Sequence, residues 1–487
     1  MMKTLLISIL LACAALADAP RNVLFLMADD LNNYLGCYGD PRAKTPNLDR
    51  LAGRGLRFER AYCTFPLCGP SRNSMLTGLY PNSTGILENA QIFRQTIPSH
   101  TSLPQAFRKH GHFAARLGKL YHYHVPGSIG TDGHDDAASW ELEMNPAGVD
   151  RLEEQPHIFS LVPGQFGGTL SWYASPKEDR YHTDGILADD AEWVLERCAK
   201  RKDRPFFLAV GFFRPHTPYV SPKPYHDLYE RQDMPVNPPA EAFRKPGLPA
   251  AALATAKKEE RKLTDELRRE CVQAYYASIS FMDAQVGRVV DALDRLGLAD
   301  STIIVFTSDH GYHMGEHGLW QKMTLFEEST RVPLFIVAPG VTKPGSVAMS
   351  PVSHVDLYPT LAALCGVKAP ANLQGQNLQP MLADPLLPGR GWALTQVSRG
   401  AKLTGYTLRT PRWRYTEWGE AGAQGRELYD HENDPRELLN LADVPAQAAT
   451  LAELTTQLRD AVKGTFPRNG STPDLKPGLW TPILPDP

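Results

Sequence analysis

The sequence predicts an α/β fold: a doubly wound, mostly parallel sheet with helices on both faces, followed by a small C-terminal α+β subdomain. Three observations predict it, namely continuous apolar runs, amphipathic segments between those runs, and alternating patterns beyond residue 400. Continuous hydrophobicity is typical of strands covered on both faces, whereas alternation is typical of strands with one exposed face. Strands that alternate with helices favour a layered α/β structure.

Four apolar runs are the predicted central parallel strands. They span residues 22–28, 205–213, 302–307 and 332–338. Three of these runs are followed at once by ionisable residues: Asp29 and Asp30, Arg214 and His216, and Asp309 and His310. Ligands of open α/β sheets bind beyond the carboxyl ends of the strands. We therefore expect these side chains at one binding edge.

The segments between the strands differ in periodicity. Thr45 and Pro46 open a predicted short helix, because Pro is favoured at the first helical position. Apolar residues recur every three or four positions over residues 271–296, which predicts a long amphipathic helix. Residues 218–263 are rich in Pro, Ala and Lys and are predicted to form a long excursion over the surface.

The C-terminal region has a different pattern. Residues 406–410 and 412–418 alternate as short strands do, and a helix is predicted near 444–462. These features predict a large domain over residues 18–400 and a small α+β subdomain over residues 401–487.

The N-terminus predicts export. Lys3 precedes a short apolar run, and the small residues around Ala17 form a cleavage site, so residues 1–17 are predicted to be a signal peptide. Two alternatives stay open: a lipoprotein anchored at Cys13, and a buried N-terminal strand. The mature protein is expected to be periplasmic or secreted, and the apolar run is too short for a transmembrane segment.

Composition excludes several classes of protein. Of 487 residues, 42% are hydrophobic and 22% charged, as in soluble globular proteins. Fifty-one basic and fifty-four acidic residues give a net charge of −3, so no global positive field attracts nucleic acid.

Two predicted strand ends carry the groups of a metal site. Adjacent carboxylates such as Asp29 and Asp30 are by themselves typical of a cap and a turn. However, Asp309 and His310 follow a second strand in the same way. Three carboxylates and an imidazole at one sheet edge favour a hard divalent cation, Ca²⁺ or alternatively Mg²⁺.

The segment from Cys68 to Gly78 reads Cys-Gly-Pro-Ser-Arg-Asn-Ser-Met-Leu-Thr-Gly. Without its context, it would be a buried Cys before a helix that a Pro initiates. The pattern Cys-x-Pro-Ser-Arg followed by Leu-Thr-Gly resembles the signature of type I sulfatases of the alkaline phosphatase superfamily. The resemblance runs over nearly the whole mature chain and implies an alkaline-phosphatase-like fold and the hydrolysis of sulfate esters.

Three details resemble the iduronate-2-sulfatase branch of that family. His310 stands where arylsulfatases usually carry Asn, and His122 follows Lys119 by three residues. The C-terminal stretches 405–410 and 414–416 are also similar to that branch.

The resemblance implies a set of roles. Cys68 would be oxidised to Cα-formylglycine by a formylglycine-generating or anaerobic sulfatase-maturating enzyme. The implied metal ligands are Asp29, Asp30, residue 68, Asp309 and His310. Among the implied catalytic residues, Arg72 orients residue 68, and Lys119 and Lys322 bind sulfate. His122 is the implied base for sulfate release, and His216 holds sulfate or protonates the leaving alcohol.

Some positions are ambiguous. His124 has the same parity as His122 in an extended segment, but only the spacing of His122 from Lys119 matches the branch. Two interpretations are open for His313 and His317: they flank the predicted strand that ends before Asp309, or they line the mouth of the cleft. Arg94 is a candidate for binding a substrate carboxylate, with an exposed surface arginine as the alternative.

The expected substrate is a sulfated saccharide, cleaved at a terminal 2-O-sulfated uronic acid. The excursion over residues 218–263 and the C-terminal subdomain are expected to narrow the cleft to a pocket, which favours exo action. The alternatives are an arylsulfatase or choline-sulfatase type and a phosphonate monoester hydrolase. A non-catalytic glycan-binding relative would have a damaged site, and every expected position is present.

Overall fold

The computed structural model describes residues 21–244, 247–400 and 403–476. The predicted signal peptide and Cys13 lie outside these residues. The large sheet contains eight strands, in chain order β1 (Asn22–Ala28), β2 (Leu56–Phe58), β3 (Phe113–Gly118), β4 (Leu142–Met144), β5 (Phe206–Gly211), β6 (Thr302–Ser308), β7 (Leu334–Val337) and β8 (Ser346–Ala348).

The sheet order is β8-β2-β7-β6-β1-β5-β3-β4, and all these strands except β7 run in one direction. In the register, Ala28 pairs with Ser308, Met27 with Gly211, and Gly211 with Gly118. The carboxyl ends of β6, β1, β5 and β3 are therefore level. This alignment confirms the predicted mostly parallel sheet and creates one shared edge.

The direction of β7 corrects the sequence prediction. Residues 332–338 were expected to form a parallel strand, but β7 pairs antiparallel with β6 through Thr307 and Leu334. A parallel neighbour needs a crossover, usually a helix, that returns the chain to the starting edge. Between β6 and β7 the chain forms only short elements, so it re-enters the sheet from the same edge.

Helices cover both faces of the sheet, as predicted. The longer ones are α1 (Pro46–Ala52), α2 (Cys68–Thr77), α3 (Leu103–Lys109), α4 (Thr183–Lys200), α5 (Asp265–Arg295), α6 (Leu357–Leu364) and α7 (Ala448–Lys463). Leu24 and Leu26 of β1 pack in one core with α4 and α5. Val23 and Phe25 point to the opposite face and pack in a second core with α3 and α6.

The short elements lie mainly at the edges of the fold. Short helices span Pro81–Thr84, Val149–Leu152, Lys223–His226, Glu327–Thr330 and Gln379–Ala383. Short strands form three small sheets: Arg331–Val332, Ala61–Tyr62 and Val352–Ser353; His313–Met314 and Trp320–Gln321; and Phe159–Ser160, Ser171–Ser175 and Tyr219–Pro222.

The C-terminal subdomain contains a four-stranded antiparallel sheet and α7. Its strands are β9 (Ala393–Arg399), β10 (Leu403–Arg409), β11 (Trp413–Trp418) and β12 (Arg426–Asp430). Because β9 lies before residue 401, this sheet begins earlier than the subdomain predicted from the sequence; the domain boundary itself stays a prediction. No helix within the described ranges is long and apolar enough to cross a membrane.

Candidate active site

Cys68 is the first residue of α2 and is buried. The backbone N–H groups and dipole at the start of a helix favour anions. Gly69 is required for packing there, because a Cβ at this position would lie 2.8 Å from Asn89 Cα. The Gly69 N–H donates a hydrogen bond to Asn89 Oδ1 at 2.8 Å. The start of the helix is thus held against the loop that contains Asn89.

Arg72, one turn into α2, joins the ends of three strands. Its Nη2 donates to Asp29 Oδ1 at 2.9 Å, and its Nε donates to Asp309 Oδ2 at 3.0 Å. Its Nη1 donates to the Lys119 carbonyl at 2.6 Å. Burial alone would raise the pKa of Asp309, but the Arg72 guanidinium holds it well below its usual range. Both carboxyls therefore stay ionised.

Lys119 follows β3 and points to the same carboxylates. Gly118 has φ +68°, and a Cβ there would lie 2.3 Å from the Gly211 carbonyl oxygen, so only glycine fits this turn. The turn brings Lys119 Nζ to 2.6 Å from Asp29 Oδ2.

Asp30 adopts a left-handed backbone conformation with φ 62°, which is uncommon outside glycine and is found at functional sites. Its N–H donates to Asp309 Oδ1 at 3.1 Å, and its Oδ1 accepts from Lys322 Nζ at 2.5 Å. Its Oδ2 is buried and has no hydrogen-bond partner among the described residues. Burial raises the pKa of Asp30. An acceptor held in this way is suited to a cation.

His310 directs one ring nitrogen to the same point. Its Nδ1 lies 2.9 Å from the Gly311 carbonyl oxygen, which fixes Nδ1 as the donor and leaves Nε2 as the acceptor. Burial lowers the pKa of His310, so the ring is neutral. The Nε2 atom lies 3.3 Å from Asp30 Oδ1 and 3.4 Å from Cys68 Sγ.

These donor groups fit a hard divalent cation. Ligand atoms of Asp30, Cys68, Asp309 and His310 lie within 4.8 Å of one another, and so do those of Asp29, Asp30, Cys68 and His216. Carboxylate oxygens with one imidazole suit Ca²⁺ or Mg²⁺ better than a soft metal. The unpartnered Oδ2 of Asp30 is the acceptor that a cation would satisfy. The predicted ligands thus lie together around residue 68.

The thiol of Cys68 is 3.1 Å from Lys322 Nζ. Burial raises its pKa well above the ordinary value, so the group is a thiol and not a thiolate. A thiol in this state is a weak nucleophile. Cys68 in its unmodified form is therefore poorly suited to attack an ester.

Two histidines complete the centre. His216 Nε2 lies 3.6 Å from Asp30 Oδ2, and its Nδ1 contacts the Thr217 carbonyl. Burial lowers the pKa of His216 well below its usual range. Burial, with the charge of Lys119 next in size, lowers the pKa of His122 to about 2. Both rings are accordingly neutral at neutral pH.

The cleft in front of these residues has a volume of about 720 Å³. His122, His216 and Lys322 line it, and so does His124, which is exposed. Residues 255 and 257 of the predicted excursion form one part of the wall, and residues 398–400 at the end of β9 form another. The 218–263 excursion thus borders the cleft as expected. The C-terminal sheet reaches the cleft only through the end of β9 and residue 400, and no described residue of the predicted subdomain 401–487 lines it.

The structure contradicts both expectations for Arg94. The side chain is buried, and its Nε and Nη2 donate to the two carboxylate oxygens of Asp136, each at 2.9 Å. Its Nη1 donates to the carbonyls of Pro98 at 2.6 Å and His100 at 2.8 Å, and Nη2 also donates to Gln105. All five N–H donors of this arginine are used. Arg94 is therefore neither a substrate ligand nor an exposed residue.

His313 and His317 also lie outside the cleft. His313 is fully buried, and its Nε2 lies 2.7 Å from Thr324 Oγ1. The His317 ring stacks on Phe326 with 3.9 Å between ring centroids. These contacts show that the two rings pack beside the end of β6 and do not line the cleft.

Two cleft residues were missed by the sequence analysis, Lys257 and Arg399. Lys257 lies in an Ala- and Lys-rich stretch without a motif, and Arg399 ends a strand of ordinary pattern. Neither position carries a local signal, because only the tertiary fold brings these segments to the cleft.

Comparison with known families decides the assignment. The sulfatase family matches residues 21–367, and the family described as "N-sulphoglucosamine sulphohydrolase, C-terminal" matches residues 315–464. The chain belongs to the sulfatase family. Sulfatases hydrolyse sulfate esters, and the family generally uses formylglycine and a divalent metal.

Two relatives of this sulfatase cover most of both chains. A sulfatase of Formosa agariphila is 34% identical over 445 residues, which span 88% of this chain and 83% of the relative. The human iduronate 2-sulfatase is 31% identical over 474 residues, which span 82% and 84% of the two chains.

A solved structure is also similar to this sulfatase. The phosphonate monoester hydrolase of Agrobacterium radiobacter superposes with a TM-score of 0.73 and 25% identity. The superposition covers 92% of this chain and 96% of the other. The shared architecture extends over the catalytic domain and the C-terminal subdomain.

Proposed function

We propose that this chain is an exported sulfatase that removes sulfate from saccharides, acting at a terminal 2-O-sulfated uronic acid. The observation that carries the proposal is the environment of Cys68. Its Sγ lies at the start of a helix, 3.1 Å from Lys322 Nζ and 3.4 Å from His310 Nε2. Three buried carboxylates surround it. This is an environment for an anionic ester next to a metal.

Residue 68 requires maturation in this proposal. A maturation enzyme would oxidise Cys68 to Cα-formylglycine. One hydroxyl of the hydrated aldehyde would then attack sulfur while the ester S–O bond breaks and the alcohol leaves. The second hydroxyl would lose its proton, so that the bond to the sulfate breaks and the aldehyde forms again. The raised pKa of the thiol supports this requirement, because the unmodified side chain is a weak nucleophile.

Asp29, Asp30, Asp309, His310 and residue 68 would hold a divalent cation, Ca²⁺ or Mg²⁺. Such an ion would supply Lewis acidity for the ester. Arg72 fixes the two outer carboxylates and keeps them ionised. The same guanidinium bonds the carbonyl of Lys119, so it sets the position of the sulfate-binding amine relative to the metal site.

Lys119 and Lys322 bind the sulfate oxygens. Each amine contacts a carboxylate, Lys119 at 2.6 Å from Asp29 and Lys322 at 2.5 Å from Asp30. Charge-assisted hydrogen bonds from such groups stabilise the charge that develops on the leaving oxygen.

Two neutral imidazoles move protons. The leaving alcohol takes its proton from Lys322, which is protonated beside Asp30, while the neutral His216 ring, with Nε2 3.6 Å from Asp30 Oδ2, lines the position of the sulfate and can receive a proton. His122 takes the proton that must leave residue 68 when sulfate is released. A neutral ring is the form that a general base requires.

Export follows from residues 1–17, and it remains a proposal because that segment lies outside the described residues. The exo preference is supported by the two wall segments that border the cleft. A walled pocket admits the end of a chain more readily than its interior.

The alternative function is the hydrolysis of phosphonate monoesters, or of aryl or choline sulfates, on the same fold. The similarity to the Agrobacterium radiobacter enzyme favours the first of these alternatives. Some phosphonate hydrolases also use formylglycine, so the motif does not exclude them. Aryl and choline sulfates differ from the proposed substrate in the alcohol that leaves, and phosphonate monoesters differ in the group that is attacked.

The test uses protein produced with a sulfatase-maturating enzyme. Mass spectrometry of the peptide that contains residue 68 is expected to show aldehyde in place of thiol. Turnover is then compared for a 2-O-sulfated uronyl disaccharide, a 6-sulfated hexosamine, an aryl sulfate and a phosphonate monoester. Equal turnover by protein whose Cys68 is wholly unmodified would refute the mechanism, and a preference for the phosphonate would favour the alternative.

A further inference from the structure

Two cations in the cleft wall lack an anionic partner. Lys257 and Arg399 line the same cavity as His122, His216 and Lys322. Neither forms an ion pair with any carboxylate among the described residues. The buried arginines of the described residues each pair with Asp or Glu, namely Arg72, Arg94, Arg116, Arg214, Arg409 and Arg414. The cations of the cleft wall therefore differ from the buried arginines in having no carboxylate partner.

Lys257 contacts the residue that precedes Lys322. Its Nζ donates to the Gly168 carbonyl and to Gln321 Oε1, the latter at 2.8 Å. Both acceptors are neutral, and an ammonium has three donors, so one N–H is left for a ligand. Gln321 directly precedes Lys322 and adopts φ 69°. Lys257 thus contacts the segment that presents the sulfate-binding amine.

Charges near Lys257 agree with this position. Glu260, on the same segment, uses Oε2 to accept the backbone N–H of Lys257 at 2.9 Å. Burial lowers the pKa of Lys257, with smaller effects from Glu260, Glu259, Lys322 and Asp30. The charges of Lys322 and Asp30 therefore act on the pKa of Lys257, but neither residue forms an ion pair with it.

Arg399 is the second cation that lines this cavity. Its Nε donates to the Ala251 carbonyl at 3.1 Å, and its guanidinium carbon lies 5.1 Å from the centre of the Trp418 ring. Its Nη1 and Nη2 are covered and have no hydrogen-bond partner in the described part of the chain. Burial lowers the pKa of Arg399 to about 10. A covered cation without a counter-ion attracts an anion through a low-dielectric wall.

The charge balance of the cleft points to a second anion. Asp29, Asp30 and Asp309 are matched by Arg72, Lys119 and Lys322. A divalent metal ion, Lys257 and Arg399 are then in excess, whereas one sulfate ester carries a single negative charge. A substrate with two anionic groups compensates this excess better than a substrate with one.

We propose that Lys257, supported by the charge of Arg399, forms a second anion subsite that binds another anionic oxygen group of the same saccharide. The group is a carboxylate or a second sulfate. The inference rests on the proposed function, since it assumes that a sulfated saccharide occupies the cleft. It places specificity in the 218–263 excursion and in β9, which lie outside the sulfatase motif.

The test measures binding to unmatured protein, in which residue 68 is Cys and turnover is prevented. Calorimetry compares a 2-O-sulfated uronyl disaccharide with its carboxyl-reduced counterpart, and a disulfated glucosamine with its monosulfated counterpart. The wild-type protein is expected to bind the doubly charged member of one pair at least about tenfold more tightly. The pair that shows this ratio identifies the second group as carboxylate or sulfate.

Variants locate the subsite. In Lys257→Met the ratio is expected to fall to about one, in Lys257→Arg it is largely retained, and in Arg399→Met it falls by a smaller factor. Lys258→Met is the matched control, because Lys258 is exposed and does not line this cleft. Thermal melting checks that each variant folds. If Lys257→Met does not fold, Lys257→Gln serves, because it also removes the charge but keeps a hydrogen-bond donor, and the ratio is again expected to fall to about one.

Two outcomes overturn the subsite: a wild-type ratio near one for both pairs, and an unchanged ratio in Lys257→Met. A loss of the same size for both members of a pair also counts against it, because that result reports general damage. Turnover of any sulfate ester by matured protein is measured separately. If no sulfate ester is hydrolysed, the proposed function fails, while the binding ratio still reports on the subsite.

Discussion

Arg72 and Arg94 are both buried, and both pair with carboxylates, yet they differ in what surrounds them. Arg94 and Asp136 form a closed unit in which every N–H donor of the arginine is used. Arg72 instead bridges Asp29 and Asp309, and the neighbouring Asp30 keeps a buried oxygen without a hydrogen-bond partner in the described part of the chain. Functional chemistry is therefore indicated by unsatisfied atoms and not by buried ion pairs as such.

The two arginines also differ in what their carboxylates are for. A buried ion pair is weak support for stability, although breaking one by removing a single partner is strongly destabilising. The Asp136 pair fastens a loop to α3 through Gln105. The carboxylates around Arg72 converge on a point where a cation fits. Variants of the two networks should therefore fail in different ways.

The largest effect is expected for Asp309→Ala. Turnover by matured protein is expected to fall at least about a thousandfold, because a bound metal contributes several kcal/mol to catalysis. The rise in Tm that Ca²⁺ or Mg²⁺ produces in the wild-type protein should also disappear. Asp136→Ala is the matched control, since it removes an equally buried carboxylate and should keep the metal-dependent rise. A metal response that survives in Asp309→Ala would contradict the site.

Arg94→Met and Arg72→Met test the comparison directly. Arg94→Met leaves Asp136 buried without its partner, which should lower the free energy of unfolding by about 3–5 kcal/mol. The folded fraction should keep its kcat. Arg72→Met should lose turnover even where the protein is folded, because Asp29 and Asp309 lose the group that orients them. Urea unfolding and turnover per folded molecule separate the two results, and equal kcat losses would remove the distinction.

Much of the fold could be predicted because the relevant signals are local. The helix α5 follows from its apolar periodicity, and β1 and β6 follow from continuous hydrophobic runs. The direction of β7 could not be predicted in this way, because burial on both faces is the same for parallel and antiparallel strands. The direction of a strand depends on the path of the chain that connects it to its neighbour, and the residue types within the strand do not specify that path.

The residues of the candidate site also fall into those with a local sequence signal and those without one. Residues in motifs or at strand ends, such as Cys68 and Asp309, were predicted, and the fold places them together. Arg94 was misassigned because its partner Asp136 is distant in sequence, so the residue type alone did not reveal a closed ion pair. Lys257 was missed for the converse reason, since an ordinary surface lysine and an unpaired cleft lysine look alike in sequence.

His122 and His124 sharpen the comparison within the cleft. Both line the cavity, but the charges of Lys119 and Asp29 act on His122, which is mostly buried, whereas His124 is exposed. His122→Ala should reduce kcat by on the order of a hundredfold, the lower end for a lost general base. His124→Ala should have a much smaller effect. Steady-state kinetics on one substrate decides between them. A larger loss of kcat in His124→Ala would show that His124, and not His122, is the catalytic histidine of this motif.

The smallest effect is expected for His310→Asn. His310 Nε2 lies 3.3 Å from Asp30 Oδ1, with Nδ1 held by the Gly311 carbonyl, so the ring offers one neutral donor atom to the cation. An amide oxygen is also a good ligand for a hard cation, and Asn is the residue that arylsulfatases usually carry there. The shorter side chain should move the donor atom and weaken the site without removing it.

Metal affinity in His310→Asn should fall by about 10- to 100-fold, the range seen when groups around a bound metal are changed. Turnover should therefore recover when the metal concentration is raised, whereas His310→Ala should recover far less. Titration of activity with Ca²⁺ and with Mg²⁺ measures both variants. If His310→Asn stayed inactive at saturating metal while its Tm still rose with metal, His310 would have a role in turnover beyond metal binding. That result would set it apart from Asp309, whose expected loss is in binding itself.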